Sequence, residues 1–249
     1  MSARAGSRAL LVEEMTSAEF ARRAKSKPLA IVPFGSIEEH GSHLPLCTDA
    51  YQAESVALRV AEKFGALVCP TVKYGECVST RNFPGTISIS SRTIRHLVRD
   101  IVSELARNGI DKVLIISGHA GGAHMAALKE GAMEIVGREK RLKVMLLSDY
   151  DLAYQLLGKE FPSSDGHGGL IETSRILHIR PELVGASRPK GADKRPRFML
   201  LQNPERYIVT GIVGDAREAS AAKGKKLDDY IVRELSKLIV ENFGLKPVR

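Results

Sequence analysis

Short apolar runs alternate along this chain with segments whose apolar residues recur every three or four positions. Leu29 to Phe34 (LAIVPF) is a continuous apolar run, the pattern of a short strand buried on both faces. From Ala50 to Phe64, Ala53, Val56, Ala57, Val60 and Ala61 fall at helical spacing, and Gly65 supplies the stop. Ala66 to Val72 is a second apolar run. Thr93 to Ala106 then places Ile94, Leu97, Val98, Ile101 and Leu105 on one helical face, ended by Asn108-Gly109. Lys112 to Ile116 (KVLII) is the clearest strand, followed by a glycine-rich turn and a helix through about Val136. Leu142 to Leu147 repeats the strand pattern, and Ser148 to Gly166 is less regular. A helix near Leu170 to Leu177, a strand over Tyr207 to Val213 and a long helix over Glu218 to Asn242 complete the expectation.

Strand alternating with helix over the whole length means βα units. The predicted fold is therefore a single-domain α/β architecture, residues 1–249, with a mostly parallel central sheet and helices on both faces. Residues 1–10 are expected to be flexible. Ligands of such sheets bind outside the carboxyl ends of the strands. Two segments fall there: Gly35 to Asp49 and Ser117 to His124, and they hold four of the seven histidines.

The chain has 249 residues, 43% hydrophobic and 27% charged, a balance suited to a soluble globular protein. Its three cysteines, Cys47, Cys69 and Cys77, form no CxxC pair, which excludes a zinc ribbon or disulfide scaffold and suits a reducing compartment. No apolar run approaches the ~20 residues of a membrane span, and the apolar stretch near the N-terminus is too short for a signal-peptide core. A cytoplasmic protein is expected. The net charge of +8 raises nucleic acid as a partner, but the excess gathers between Arg188 and Arg197 and between Lys223 and Lys226, and there is no tryptophan for stacking. A solvated basic face, or a site for a small anion, is the better reading.

Three segments could carry chemistry. The loop from Gly35 to Asp49 offers Glu38, His40 and Asp49, a nitrogen and oxygen mixture suited to a divalent metal of the zinc type. The turn Ser117-Gly-His-Ala-Gly-Gly122 places His119 at a strand's carboxyl end; it lacks the lysine ending of a phosphate loop. The segment Asp165 to Ser174 (DGHGGLIETS) adds His167 and Glu172, the latter either a ligand or a partner of the helix dipole. Together these donors are too many for one zinc and suit two ions ~3.5–4 Å apart, bridged by a carboxylate, which polarise a carbonyl and activate a water. A nearby histidine could then pass a proton to the leaving nitrogen.

In these motifs the sequence resembles the creatininase (creatinine amidohydrolase) family. The family's GSxEQHGxHLPLxTD, NGHGGN and DxHAGxxETS segments stand here as GSIEEHGSHLPLCTD, SGHAGG and DGHGGLIETS. Phe83 to Ile87 resembles its FPGT segment, and Gly211 to Asp215 its late glycine-aspartate turn. The resemblance implies Glu38, Asp49 and His119 around one metal, and His40 with the bridging Asp49 on the second. It implies His167 as the proton shuttle, two divalent ions (zinc, with manganese or iron as alternatives), and a homo-oligomer, often a hexamer. It also implies a small-molecule substrate, while the apolar runs and the charge pattern speak against a membrane or nucleic-acid partner.

The departures from the pattern bear on the substrate. Creatininase has a metal-binding glutamate where this chain has Gly121, so Glu172 is the candidate replacement, with a single metal as the alternative. Creatininase also uses tryptophans around its substrate, and this chain has none. Arg81, before the FPGT-like segment, could meet an anionic group of the substrate. The leading reading is a metal-dependent amidohydrolase acting on a non-peptide C–N bond, in a cyclic amide or formamide, through a metal-bridged hydroxide. A peptidase-like member trimming a small modified peptide is the second reading. A non-catalytic anion-binding protein on the same fold is the third.

Overall fold

The buried run Leu29–Phe34 forms β1, which lies between β2 (Leu67–Val68) and β3 (Lys112–Ser117), with β4 (Lys143–Ser148) beyond β3. This computed structural model describes residues 11–248; the expectation for residues 1–10 lies outside them. All four strands are parallel, in the order β2-β1-β3-β4, and Phe34 pairs with Ser117 at the carboxyl edge. Pro33 is tolerated in a central strand because β2 has already ended beside it. Only its carbonyl is used there, accepting the Val72 amide at 2.9 Å.

The helices are α1 (Ser17–Ala24), α2 (Thr48–Phe64), α3 (Ser91–Arg107), α4 (Gly122–Val136), the short α5 (Tyr150–Ala153), α6 (Leu170–Ile179) and α7 (Ala221–Phe243). Alternation along β1 divides the core in two. Leu29 and Ile31 join α2, α6 and α7 on one face, whereas Ala30, Val32 and Phe34 join α3 and α4 on the other. The α/β expectation with helices on both faces therefore stands. Because α2 and α3 lie on opposite faces, the chain leaves β1 in one direction and reaches β3 from the other. The resulting crevice opens at the carboxyl ends of β1 and β3.

Several expected boundaries moved. The run Ala66 to Val72 is a strand only at Leu67–Val68, since Pro70 interrupts it before an isolated bridge of Val72 to Phe34. The segment Tyr207 to Val213 is not a strand. Pro204–Tyr207 is a 3-10 turn, Gly211 takes a left-handed φ of 72°, and Val213 pairs its backbone with residues 166 and 167 instead. A two-residue antiparallel pair, β5 (Lys190–Gly191) with β6 (Gly214–Asp215), follows from that excursion. Helix α1 was not anticipated, although Thr16 and Glu19 form a capping box that opens it.

Candidate metal centre

The loop after β1 turns back toward the sheet and enters α2 at Thr48, so Glu38, His40 and Asp49 all reach the crevice. The loop after β3 brings His119 against them from the other side. The two loops pass so closely that a Cβ on Gly118 would lie 2.1 Å from the Asp49 carbonyl oxygen. Only glycine fits there, which gives the glycine-rich turn a steric reason rather than a phosphate-binding one.

Asp49 is buried at the centre. Its Oδ1 lies 3.0 Å from His40 Nε2 and its Oδ2 lies 3.1 Å from His119 Nδ1. Glu38 Oε2 is 2.9 Å from the same His119 nitrogen, and Glu172 Oε2 is 3.3 Å from the same His40 nitrogen. The structure thus brings together Glu38, His40, Asp49, His119 and Glu172 as two donor groups that share one carboxylate. Each imidazole is oriented from behind: His40 Nδ1 donates to the Glu38 carbonyl at 3.0 Å and His119 Nε2 to the Glu76 carbonyl at 2.9 Å. Backbone acceptors on the far nitrogen leave the near nitrogen free as a ligand. Ser36 Oγ donates to Asp49 Oδ2 at 2.5 Å, and Thr80 Oγ1 donates to Glu38.

Burial disfavours the charged form of every group here, yet mutual attraction overrides it. Glu38 is held down to about 2 by His119 and His167, and Asp49 well below the usual carboxylate range by both imidazoles. Asp49 and Glu172 carry His40 up to about 10, and Glu38 and Asp49 raise His119 well above its ordinary value. Three buried carboxylates therefore demand positive charge strongly enough to hold two protons on imidazoles that burial would strip. A donor set of that composition and geometry fits two divalent cations, which would replace those protons.

Glu172 faces His40 at 3.3 Å and also touches the entry to α6. Its Oε2 also accepts the Gly168 amide at 2.7 Å. The start of α6, however, already has a carboxylate cap in Asp165, whose two oxygens accept the Leu170 and Ile171 amides at 2.7 and 2.9 Å. A Cβ on Gly121 would meet His119 Nε2 at 2.6 Å, so a glutamate there is incompatible with this pose of His119.

His167 stands beside the cluster, its ring 4.3 Å from that of His40 and its Nε2 donating to the Glu39 carbonyl at 2.7 Å. It lines a cavity of about 360 Å³ together with Glu38, Asp49, His119 and Glu172. Arg81 is exposed and lies outside that lining; the arginine in the cavity wall is Arg195. Arg195 pairs with the Asp193 carboxylate at 2.6 Å and donates to Ser79 Oγ at 2.7 Å. Tyr150 and Tyr154 supply aromatic surface to the same wall. A larger groove of about 570 Å³, between Lys27, Gly109 and Arg141 at the opposite end of the sheet, contains none of these donors.

Two other histidines have structural partners. His43 Nε2 meets Thr173 Oγ1 at 2.7 Å, and burial pushes its pKa down to about 4. His124 meets Ser117 Oγ at 3.2 Å and is pushed down to about 3 by burial and by His119, whose ring it supports at 4.9 Å. Sequence reasoning missed Ser36, Thr80, Tyr150, Tyr154 and Arg195. Ser36 and Thr80 sit inside or beside recognised motifs, a signal that could have marked them. Arg195 sits on an irregular segment whose path no periodicity reveals.

The profile of the family described as Creatininase: Creatinine amidohydrolase matches residues 13–239. The chain is 32% identical over 259 residues to creatinine amidohydrolase of Pseudomonas putida, covering 95% of this chain and 98% of that protein. It is also 32% identical over 212 residues to the mycofactocin precursor peptide peptidase of Mycolicibacterium smegmatis, covering 80% and 79%. Among solved structures, a creatininase mutant of Zn–Zn type matches with a TM-score of 0.85 and a Mn creatininase with 0.84. Both are 29% identical and cover 94% of this chain and 98% of theirs.

Proposed function

The chain belongs to the creatininase family, and from that premise we propose that it is a binuclear metal-dependent amidohydrolase that cleaves a non-peptide C–N bond, a cyclic amide or formamide, in a small substrate. The observation that carries this reading is the shared carboxylate of Asp49, each oxygen facing a different imidazole that also faces its own second carboxylate. Glu38, Asp49 and His119 would hold one ion; His40, Asp49 and Glu172 would hold the other. Zinc heads the candidates, with manganese next, in keeping with the Zn–Zn and Mn forms of the related creatininase.

Two such ions, when bound, supply Lewis-acid polarisation of a carbonyl and a water made nucleophilic at neutral pH. The protein's own groups do the rest. The carbonyls of Glu38 and Glu76 keep both ligand imidazoles in one tautomer and one orientation. His167 keeps its Nε2–H on the Glu39 carbonyl, which leaves Nδ1 to take up the proton released by the nucleophilic water and pass it to the departing amine. Tyr150, Tyr154, Ile208 and Val213 narrow the cavity and limit the water that reaches it.

Equal identity to a creatinine amidohydrolase and to a peptide peptidase supports a second reading, trimming of a short modified peptide. The non-catalytic alternative is less favoured because four cations of the basic runs are paired locally. Arg195 pairs with Asp193, Lys223 with Glu218, Lys225 with Asp229 and Lys226 with Glu160. Turnover of metal-loaded protein on a panel of cyclic amides, formamides and short peptides separates the readings. Hydrolysis of peptides alone would replace the first with the second, and no hydrolysis with full metal occupancy would remove both.

A further inference from the structure

We propose that Cys77 is a protein ligand of the ion held by Glu38, Asp49 and His119, and that its thiolate biases this position toward zinc over manganese. The proposal rests on the two-ion reading above. Cys77 is fully buried, and its Sγ, a carboxylate oxygen of Glu38 and a ring nitrogen of His119 all lie within 4.8 Å of one another. Ligands of a tetrahedral zinc stand about 3.5 Å apart when one is a thiolate, so a contraction of at most about 1.3 Å would place all three on one ion.

The three cysteines are in different settings. Cys69 packs into the apolar core beneath β1, and Cys47 is half-buried ahead of α2. Cys77 instead has Glu38, His119, Asp49 and Ser36 for neighbours, which is a poor place for a thiol acting as a small hydrophobe. Its backbone is anchored, since its amide donates to Ser88 Oγ at 2.9 Å. The preceding residue is Glu76, whose carbonyl orients His119. Adjacent residues therefore aim one ligand and supply another.

The chemistry balances simply. Binding exchanges the thiol proton for the ion, the proton leaves to solvent, and no electron is transferred. A carboxylate–carboxylate–imidazole–thiolate set would supply four protein ligands to that ion, whereas His40, Asp49 and Glu172 would supply three to the other and leave it room for water. Thiolate favours zinc and cobalt over the harder manganese.

The test is cobalt loading of metal-free protein, followed by the near-ultraviolet charge-transfer band of a thiolate–cobalt bond. Wild type and Cys47→Ser should show the band, and Cys77→Ser and Cys77→Ala should lose it. Cys77→Ser should also shift zinc-over-manganese preference toward manganese by roughly tenfold or more. X-ray absorption of zinc-loaded wild type needs no variant and should give a sulfur shell at about 2.3 Å. Two cobalt ions per chain without the band, a band that survives in both Cys77 variants, or a purely nitrogen and oxygen shell would overturn the proposal and leave the two-ion reading intact. Failure of wild type to bind cobalt or zinc would overturn both.

Discussion

Removing the ions should make the stability of this protein depend on pH where the loaded protein's does not. In the ion-free protein, burial opposes the charge on His40, but Asp49 and Glu172 carry its pKa from 6.5 to about 10. A pKa raised by folding contributes stability that is complete below the unfolded value and is lost as pH rises through the folded one. The window therefore runs from about 6.5 to about 10. At about 1.4 kcal/mol for each unit, the 3.5 units between those values amount to at most about 5 kcal/mol. His119, also raised, acts in the same direction. At about 2–4 °C per kcal/mol for a chain of this size, the midpoint of unfolding should fall by about 10–20 °C across the window. The carboxylates act at the other end: Glu38 contributes stability above about 4 that is lost as pH falls through about 2, and Asp49, also held low, acts in the same direction. In loaded protein the ions replace the imidazole protons, so the alkaline slope should flatten. Calorimetry of chelator-treated and zinc-reloaded protein from pH 6.5 to 9.5, at constant ionic strength, measures the difference. Parallel curves would mean that the imidazoles do not hold the protons an ion would displace, and the metal-centre argument would fail with them.

Asp49→Ala should abolish binding of both ions and hydrolysis together, which metal content per chain after dialysis checks; a fully metallated variant would refute the bridge. Glu172→Gln keeps an oxygen for the Gly168 amide, so it should fold normally and weaken only the second ion by at least about tenfold, read by competition with a chromophoric chelator. His167→Ala should retain both ions and lose about 10²–10⁴-fold in turnover, with the loss falling on kcat. Gly118→Ala forces a methyl group to within 2.1 Å of the Asp49 carbonyl and should cost about 3 kcal/mol or more by urea unfolding, even without metal.

Much of this was legible in the sequence, for identifiable reasons. β1 and β3 read cleanly because both faces are buried, which makes their apolar runs continuous. Glu38, His40 and His119 were legible because they lie in loops at strand ends, and Asp49 because it opens the helix that follows the first of those loops, where a parallel sheet converges its side chains. The pairing of Glu172 with His40 was less so, since they lie 132 positions apart and the packing of α6 against α2 and α7 brings them within 3.3 Å. Tyr207 to Val213 misled because apolar residues suggested a strand, while the segment's backbone is used to hold residues 166 and 167. Arg81 misled in the opposite way: its place beside a recognised motif drew attention, but the cavity wall uses Arg195, a residue whose position depends on a loop excursion with no local signature.

The placement of Glu172 has a cause one helical turn further on. Arg175 is completely buried, with NH2 at 2.7 Å from Asp149 and Nε at 2.7 Å from Asp228. Asp149 follows the last residue of β4 and Asp228 lies on α7, so the guanidinium ties α6 to the carboxyl edge of the sheet and to its neighbouring helix. A buried charge of this kind adds little net stability over an apolar isostere, but losing one partner costs about 3–5 kcal/mol. What it gives is a defined position. With Arg175 holding the inner side of α6 and Asp165 capping its first turn, Glu172 projects from a fixed helix rather than a loop. The Glu172 carboxylate therefore meets His40 across the fold in a position set by two buried contacts of its own helix.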